Sequence, residues 1–520
     1  MADSDLGKKA KTSIFYNIAA KGASTLGQLF GTVFLARLLV PEDFGIVTTG
    51  MLVIGFATKF GEFGFHQGLI QRKEAITRKH INTLFTIDFT FKAVLWLIIF
   101  LLSSLLAGYF NEPALATALP VLSLYILLEC FSTTPLTVLK RDVDFKSVSI
   151  NETIEMFTTI VLSIALAFLG FGLWSLIYSK LTGITVAGIL AMRKTHWVPK
   201  FTFNRRAGKE LFHFGAMIFV RNLFRYGADN VDYFFVSKYI GAQALGLYEK
   251  AFILMRMPQK RITRSVNRVI FSAFSRIQDD PERIRKIFCK LVLAVSLLSY
   301  PLLTGLALVA QPFIAVLLGE KWLGAALPLQ IMCIAGILRS IDPFLNSTLT
   351  ATGYVRSTVT RRALEFVLLA VTTFLGIQYG LAGVATAVGF SAIIVMIVMM
   401  NMITKVTKIQ WRDYFGPQMP AIVTSLCMLI AMYVSRSVLV QYVDPLGPVI
   451  LVSLVAIGTL VYLGLLMIFR FKMVTELLDE LRGDTKGVTD ALKKKFSRSK
   501  KKPKLTMSVE LDNKPVAGEQ

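Results

Sequence analysis

About fourteen stretches of the sequence are apolar and approach the 17 to 25 residues that a helix needs to cross a bilayer. They lie near residues 14–36, 44–70, 84–108, 115–138, 152–169, 172–191, 211–237, 245–270, 288–310, 324–346, 358–376, 381–403, 420–435 and 448–469. Hydrophobic residues make up 54% of the 520-residue chain and charged residues only 17%, which is more apolar sequence than one soluble core buries. No β-barrel alternation is visible, so backbone groups must be satisfied within helices. The sequence predicts an all-α polytopic membrane protein with about 14 transmembrane helices.

A ten-residue element after the first apolar stretch recurs in the middle of the chain. Arg37-Leu-Leu-Val-Pro-Glu-Asp-Phe-Gly-Ile46 returns as Lys238-Tyr-Ile-Gly-Ala-Gln-Ala-Leu-Gly-Leu247, 201 residues later. Weaker echoes, such as Ala118-Leu-Pro-Val and Ala326-Leu-Pro-Leu, recur at similar offsets. A duplicated membrane unit is typical of two-part transporters that alternate around one site. We therefore expect two pseudo-symmetric six-helix bundles followed by two C-terminal helices.

The repeat and the composition divide the chain into five parts. We expect an N-terminal bundle in residues 1–191, a basic cytoplasmic linker in 192–210 and a second bundle in 211–404. Two further spanning helices follow in 405–470. The basic tail, 471–520, is expected to be cytoplasmic and largely disordered.

Basic residues are concentrated in alternate loops. Residues 1–13, 71–82, 139–149, 192–210, 256–290, 351–362 and 404–415 hold 32 lysines and arginines. The intervening loops hold four: Arg37, Lys238, Lys321 and Arg436. By the positive-inside rule, both termini and the basic loops are predicted to be cytoplasmic. The net charge of +24 is thus explained by topology, and no nucleic-acid partner is expected.

The tail carries one dense basic run, Lys493 to Lys504. Beside a membrane, such a run is attracted to anionic lipids by about 1 kcal/mol per basic residue. The alternative is a solvated tail that only reinforces the topology.

The cysteines do not form a motif. Cys130, Cys289, Cys333 and Cys427 are isolated in or beside apolar stretches, with no CxxC pair. Small core residues are the ordinary interpretation of such positions. We expect neither a metal site nor a cofactor.

Two predicted helices carry polar stripes at helical spacing. The seventh places Arg221, Arg225, Asp229 and Asp232 on one face, and the first does the same with Asn17, Lys21, Ser24 and Gln28. Charged groups at membrane depth usually face a water-filled cavity. The candidate substrate-binding residues are Lys21, Asn17, Gln28, Arg221, Arg225 and Arg339, which would hold an anionic, hydroxyl-rich headgroup.

Each charged position also has a structural interpretation. Arg225 with Asp229, and Arg339 with Asp342, are alternatively internal pairs between helices. Lys92 and Lys250, near helix ends, are expected to extend towards the interface.

Carboxylates at depth are candidates for ion coupling, because a desolvated carboxylate titrates nearer neutral pH. The candidates are Asp229, Asp232, Glu62 and Glu129. Glu155 and Glu365 occupy matching places in the two repeats. They are expected to pair instead with Lys146 and with Arg361 or Arg362.

Enzyme motifs are missing from the sequence. It has no G-x-S-x-G and no Walker motif, and we expect no DxD-type metal site. Asp279-Asp280 before Pro281 is explained by helix capping. We expect a protein that is not an enzyme. A membrane glycosyltransferase or polysaccharide polymerase is the alternative from another class.

Six strings in order resemble one family of membrane proteins. They are Leu35-Ala-Arg-Leu-Leu-Val-Pro-Glu-Asp-Phe-Gly45, Leu69-Ile-Gln-Arg-Lys-Glu74, Phe110-Asn-Glu-Pro113, Leu139-Lys-Arg-Asp-Val-Asp-Phe145, Gly170-Phe-Gly-Leu-Trp-Ser175 and Gly241-Ala-Gln-Ala-Leu-Gly-Leu-Tyr248. From about residue 10 to 470 the chain resembles the polysaccharide transport (Wzx-type) flippases of the multidrug/oligosaccharidyl-lipid/polysaccharide superfamily. Within that family it resembles the colanic-acid, lipopolysaccharide and exopolysaccharide exporters. It departs from the family pattern at His66 and Gln67 and in its basic tail.

The resemblance implies a MATE/MOP-like protein of the bacterial inner membrane. Such a protein would flip an undecaprenyl-pyrophosphate-linked oligosaccharide from the cytoplasmic to the periplasmic leaflet by alternating access. A polysaccharide polymerase and a chain-length regulator are the implied protein partners. The main alternative is a cation-coupled multidrug exporter of the same superfamily. That protein would favour a carboxylate-rich cavity, whereas basic residues outnumber acids at depth here.

Overall fold

The structure is a computed structural model. It describes residues 27–61, 65–71, 76–204, 216–257, 280–351, 356–469, 471 and 473–476. Within these ranges every regular element is a helix. Nine helical segments there are long and apolar enough to cross a membrane. The all-α polytopic fold is thus confirmed, while the number of fourteen spans stays a prediction.

We call residues 27–204 the N-terminal half, and eight α-helices are described in it. They are α1 (27–38), α2 (Pro41–Gly61), α3 (Phe65–Gln71), α4 (Arg78–Phe110), α5 (Ala114–Leu122), α6 (Leu124–Arg141), α7 (Phe145–Phe168) and α8 (Leu173–Thr195).

The C-terminal half is residues 216–439, and its described residues form ten more α-helices. They are α9 (Ala216–Tyr239), α10 (242–257), α11 (Pro281–Leu308), α12 (Ala310–Leu317), α13 (Ala326–Arg339), α14 (Asp342–Ala351), α15 (Arg356–Gly376), α16 (Gly380–Val406), α17 (Trp411–Phe415) and α18 (Met419–Leu439). The last long helix is α19 (Pro448–Phe469), and short 3₁₀ helices span Glu320–Ala325, Ile377–Tyr379 and Gly416–Gln418.

Local chemistry sets several helix ends. Asp144 caps α7 by accepting a hydrogen bond from the Ser147 amide, and Asp280 caps α11 in the same way, with Pro281 as the first helical residue. Both satisfy amides that have no partner inside the helix. Gly241, with φ of +107°, makes the tight turn between α9 and α10 that a residue with a Cβ rarely adopts.

Each half packs mainly on itself. In the N-terminal half, α2, α4, α5, α6, α7 and α8 contact one another. In the C-terminal half, α9 packs on α15, α11 on α13 and α18, and α16 on α13, α14 and α15. Between the halves, α2 packs on α9, and α4 makes a smaller contact with α9.

The first part of the predicted linker lies along α4. After α8, the Trp197 indole donates to Asn82 Oδ1 at 2.8 Å, and Phe85 meets the Trp197 ring edge-on at 5.2 Å. The amides of Thr202 and Asn204 donate to Thr86 and Thr83. Residues 196–204 are therefore fixed to the N-terminal half.

The chain divides into two compact units, Met1–Leu465 and Leu466–Gln520. The first contains both halves and most of α19. In the second, the structure describes the end of α19 and a helical turn at residues 473–476. The basic run of the tail lies outside the described residues.

Candidate functional site

The two copies of the repeated element contact each other at the predicted external end. A Cβ added to Gly45 would overlap the carbonyl oxygen of Ala242, and a Cβ added to Gly246 would overlap that of Pro41. Each glycine and each carbonyl has its counterpart 201 residues away. The contact is therefore reciprocal, as expected for two related elements facing each other across a pseudo-two-fold axis.

Side chains from a third segment cover this contact. The fully buried Trp322 donates from Nε1 to the Ala36 carbonyl at 2.8 Å, and its ring meets Phe44 edge-on at 5.4 Å. Arg37 donates to the carbonyls of Val316 and Leu317. The segment around Trp322 thus buries its indole between the halves.

The contact continues inward along α2. The hydroxyls of Thr49 and Ser237 lie 2.7 Å apart, and Tyr226 donates to the Leu52 carbonyl at 2.8 Å. From Pro41 to Leu52, α2 rises about 17 Å. We call this set of contacts, from the paired glycines to Tyr226, the seam; it closes the halves together from the predicted external end to about mid-depth.

A cavity of about 170 Å³ lies in the C-terminal half beside the seam helix α9. Four arginines and four carboxylates line it, together with Ala228, Phe252, Pro343 and Leu369. The charged residues are Asp229, Asp232, Arg256, Arg339, Asp342, Arg361, Arg362 and Glu365. A cavity of this volume has room for several water molecules or for one small polar headgroup. The four positive and four negative formal charges of its wall cancel.

The carboxylates of the wall are engaged by neighbours. Asp342 lies 3.5 Å from Arg361, while Arg362 lies 3.0 Å from Glu365 and 3.6 Å from Asp229. Asp232 accepts a hydrogen bond from the Tyr248 hydroxyl at 2.8 Å.

Two guanidiniums of the wall remain without such a partner. Among the described residues, no carboxylate lies within 4.0 Å of Arg256 or Arg339; Arg256 lies over the Phe252 ring, 5.0 Å from its centroid. A guanidinium has planar donors that match phosphate oxygens. Arg339 acts on Asp232 and Asp342 only from a longer distance. Despite the balanced total charge, the donors of Arg256 and Arg339 are therefore the ones that an anion in the cavity would meet.

The predicted site residues fall in different places. Arg339, Asp229 and Asp232 line the cavity. Arg225 lies 3.7 Å from Asp229, as the pairing interpretation predicted, and its side chain is 68% exposed.

The other candidates lie outside this cavity or outside the described part of the chain. Gln28 is exposed on α1, and Glu129 belongs to the N-terminal half. Asn17, Lys21 and Glu62 lie outside the described residues, and so does the side chain of Arg221, which belongs to α9.

The structure overturns three expectations about charged side chains. Lys92 is 3% exposed and ion-paired to Asp88 and Glu129, and Lys250 is 5% exposed with its ammonium 3.6 Å from the centroid of the Phe44 ring. Neither extends to the interface, because each finds a partner inside. Asp342 pairs with Arg361, not with Arg339.

Sequence reasoning missed Arg256, Arg361 and Arg362 as cavity residues. All three were counted with the basic loops 256–290 and 351–362, although the apolar stretches 245–270 and 358–376 also contain them. The available signal was helical continuity: α10 extends to residue 257, and Phe252 and Arg256 are spaced i, i+4, which puts them on one face.

Comparisons with known proteins agree with this fold. A family model described as "Polysaccharide biosynthesis protein" matches residues 34–327, more than half of the chain. The chain is 27% identical to the lipopolysaccharide biosynthesis protein WzxC of Escherichia coli K12 over 61% of its own length and 65% of that relative. It is 28% identical to the teichuronic acid biosynthesis protein TuaB of Bacillus subtilis, over 79% and 86%.

Solved structures show the same architecture. The lipid II flippase MurJ in an inward closed conformation has a TM-score of 0.72 at 17% identity, covering 89% of this chain and all of that one. An inward-facing MATE family transporter of the MOP superfamily has a TM-score of 0.57 at 14% identity, covering 77% and 95%. This chain is a multi-pass membrane protein with the fold of these transporters, and it belongs to the polysaccharide biosynthesis protein family.

Proposed function

We propose that this protein flips a polyprenyl-pyrophosphate-linked oligosaccharide, a building unit of a cell-surface polysaccharide, across the membrane. Family membership over residues 34–327 is the observation that carries the proposal. The names of WzxC and TuaB point to lipopolysaccharide and teichuronic acid synthesis, and MurJ is a flippase of lipid II.

The cavity supports the same substrate class. Arg256 and Arg339 provide donors for the pyrophosphate, which is the part common to such carriers whatever glycan they bear. A volume of about 170 Å³ suits a headgroup, so the glycan would occupy space between the halves and the prenyl chain would remain in lipid. Arg221, Arg225, Lys21, Asn17 and Gln28 stay proposed contacts along that path.

Translocation requires the seam to open. In this structure the halves meet at Gly45 and Gly246, so release towards the predicted external side is blocked. We infer alternation between this state and one in which residues 1–191 and 211–404 part at the seam, while the linker 192–210 joins them on the opposite side.

We also propose the cellular setting. The distribution of basic loops supports the bacterial cytoplasmic membrane with both termini in the cytoplasm. A polymerase that joins the flipped units, and a chain-length regulator, are the protein partners. Anionic lipids are the proposed partner of the basic tail, and no catalytic role, metal or cofactor is proposed.

The test is genetic. Deleting the gene in its native host should remove the surface glycan and leave lipid-linked repeat units accumulated on the cytoplasmic leaflet, and the wild-type gene should restore export. Intact surface glycan in the deletion strain, or loss of the lipid-linked units themselves, would contradict a flippase; the second result would indicate a transferase instead.

A further inference from the structure

A second set of polar side chains lies in the N-terminal half, apart from the cavity. Tyr125 on α6, Glu155 on α7 and Lys180 on α8 converge there. The Lys180 ammonium lies over the Tyr125 ring, 5.4 Å from its centroid, and Glu155 interacts electrostatically with both residues. All three residues belong to segments that are long and apolar enough to span a membrane. We call Tyr125, Glu155 and Lys180 the Lys180 group.

The polar ends of the Lys180 group have no direct partner in the part of the chain that the structure describes. There, no side chain or backbone group hydrogen-bonds to the Tyr125 hydroxyl or the Glu155 carboxylate, and no carboxylate lies within 4.0 Å of the Lys180 ammonium. The three side chains are half-buried, and none of their polar ends is completely enclosed. Polar groups at membrane depth usually face an aqueous space. These three ends are therefore available to a ligand.

The Lys180 group lies beside the seam and faces the C-terminal half. Glu249 of α10 acts on Lys180 electrostatically and accepts a hydrogen bond from Thr48 of α2 at 3.0 Å. Lys180, Glu249 and Thr48 each lie seven residues inward from the predicted external end of their helix, which is about 10 Å along the axis. The group is therefore next to the space between the halves in which we propose that the glycan moves.

The cavity of the C-terminal half is within reach of the same ligand. Arg256, in the cavity wall, follows Glu249 by seven residues on α10. This spacing is about 10 Å along the helix axis, and it puts both side chains near one face. A headgroup that has its pyrophosphate at Arg256 can thus extend past Glu249 towards the Lys180 group.

The donors and acceptors of the group match a sugar better than a phosphate. A hydroxyl both donates and accepts a hydrogen bond, so neighbouring sugar hydroxyls can bind a carboxylate and an ammonium at once. The ionised phosphates of a pyrophosphate link only accept hydrogen bonds, and the Glu155 carboxylate would repel them. The mixed character of Glu155, Lys180 and Tyr125 therefore indicates a hydroxyl-rich ligand.

The charges around the group favour a sugar that is itself uncharged. The acidic neighbours of Lys180 are Glu155, Glu249 and Glu129, the last with 31% of its side chain exposed. Lys92 and Lys250 lie within 4.0 Å of Glu129 and Glu249, respectively, so Glu155 is the carboxylate left to balance Lys180. A sugar carboxylate would find no unbalanced cation here and would meet Glu155 as a like charge.

We propose that the Lys180 group binds an uncharged sugar of the lipid-linked glycan while the pyrophosphate occupies the cavity of the C-terminal half. Glu155 accepts hydrogen bonds from the sugar hydroxyls, Lys180 donates to them, and the Tyr125 hydroxyl does either. The group selects the glycan, whereas the cavity binds the part that all such carriers share. The identity of this ligand rests on the proposed flippase function.

Equilibrium binding to the purified full chain tests the site without transport. The probes are polyprenyl pyrophosphate without sugar, the same carrier with a disaccharide of neutral hexoses, and two analogues in which a hexuronic acid replaces one hexose or the other. The wild type should bind the neutral disaccharide carrier roughly tenfold more tightly than the weaker of the two analogues. Equal affinities for the neutral carrier and both analogues would overturn the proposal.

Two substitutions separate this site from the cavity. Lys180→Met should weaken binding of the neutral disaccharide carrier roughly tenfold, because one hydrogen bond to a charged group is lost, and should leave the carrier without sugar unaffected. Glu155→Gln should reduce the preference over the weaker analogue roughly threefold, because a like charge is removed. Lys194→Met and Glu152→Gln, at exposed positions on the same two helices, should match the wild type.

The results that contradict the site differ from those that contradict the proposed function. Equal weakening of the carriers with and without sugar in Lys180→Met would place Lys180 at the phosphate, and no weakening of either would exclude it from the site. An unchanged preference in Glu155→Gln would also overturn the proposal. A wild type that binds none of the carriers would contradict the proposed function as well. Sugar-selective binding without flipping in vesicles would contradict the function alone.

A milder variant keeps the test decisive if Lys180→Met fails to fold. Tyr125→Phe removes one hydroxyl and leaves the ring in place. It should weaken binding of the neutral disaccharide carrier roughly fivefold and leave the carrier without sugar unaffected. Unchanged binding of the disaccharide carrier in Tyr125→Phe would then overturn the proposal.

Discussion

Gly45 and Gly246 occupy equivalent positions in the two repeats, and each lies against a backbone carbonyl of the other half. A Cβ on either one would overlap its partner, Ala242 or Pro41. Neither glycine has a positive φ, so these positions require glycine for close approach and not for an unusual backbone conformation. The repeated element is therefore the means by which the two halves meet.

A larger side chain at Gly45 should open the seam. Gly45→Leu overlaps the Ala242 carbonyl, and overpacking of this kind costs about 1–3 kcal/mol, which raises the open population roughly 5- to 150-fold. The reporter is Thr49→Cys, at a position 1% exposed, in a background without the four native cysteines. Its labelling by a membrane-impermeant maleimide should accelerate by a similar factor.

Gly108→Leu is the matched control for this substitution. Gly108 lies near the external end of α4, where an added Cβ meets no atom within 4 Å. The reporter should stay protected in this variant. If the Thr49→Cys reporter is labelled equally slowly in Gly45→Leu and Gly108→Leu, the seam is not the barrier that keeps the maleimide out.

Removing either cavity guanidinium that has no direct ion pair should weaken substrate binding. Hydrogen bonds to charged groups contribute about 1.5–3 kcal/mol, so Arg256→Gln or Arg339→Gln should raise the apparent KM for the pyrophosphate-linked substrate roughly 10- to 100-fold. Arg412→Gln, at an exposed position on α17, should leave KM unchanged. An unchanged KM in both cavity variants would exclude the cavity as the anion site.

Lys92→Met should destabilise the protein. It leaves Asp88 and Glu129 without their shared counter-ion, and breaking a buried pair costs about 3–5 kcal/mol. The exposed fraction of Glu129 places the expected loss near the lower limit of that range. The double variant Lys92→Met/Glu129→Gln should recover part of the lost stability.

Thermal unfolding in detergent measures this loss. The apparent Tm of Lys92→Met should fall by several degrees, whereas Lys79→Met, an exposed position on the same helix, should match the wild type. Equal Tm values for the two methionine variants would show that the buried ion pairs contribute no stability.

The capping aspartate of α7 should make stability depend on pH in acid. Asp144 accepts hydrogen bonds from the Ser147 amide at 3.1 Å and the Ser147 hydroxyl at 2.6 Å. Burial raises the pKa of Asp144, but the Ser147 hydrogen bonds and the nearby lysines outweigh burial and hold it below the ordinary 3.8. The stability that the ionised Asp144 contributes is fully present above pH 3.8. It is lost as the pH falls through the lower pKa that Asp144 has in the folded protein.

At neutral pH, Asp144→Ala should cost about 1 kcal/mol of unfolding free energy. The difference in unfolding free energy between the wild type and Asp144→Ala should narrow as the pH falls below 3.8. Asp142→Ala, an exposed position two residues earlier, should show no such narrowing. If the difference in unfolding free energy between the wild type and Asp144→Ala stays constant at every pH, the ionised carboxylate of Asp144 does not stabilise the helix end.

The sequence predicts the helices and the duplication well because both follow from local patterns. Apolar stretches identify the helices, and Arg37 to Ile46 and Lys238 to Leu247 identify the repeat. The contact between Gly45 and Ala242 is a tertiary property, so the motif shows which elements are related but not that they touch.

The charged groups show where local patterns are insufficient. Arg256 was assigned to a cytoplasmic loop by charge density, although its helix continues past it. Lys92 was expected at the interface because it lies near a predicted helix end. Its partner Glu129 lies on another helix, 37 residues away in sequence, and a local pattern does not show that pairing. Position relative to a predicted helix end does not reveal which neighbours a side chain finds after folding.

The most direct test combines the seam with the proposed flipping. The hydroxyls of Thr49 and Ser237 lie 2.7 Å apart, close enough for a disulfide in Thr49→Cys/Ser237→Cys. This protein, free of its native cysteines and reconstituted in vesicles, is given a fluorescent polyprenyl-pyrophosphate-linked oligosaccharide. We predict flipping when it is reduced, none when it is oxidised, and recovery on adding reductant. Equal flipping in the oxidised and reduced states, or none in the reduced state, would contradict a flippase that works by opening this seam.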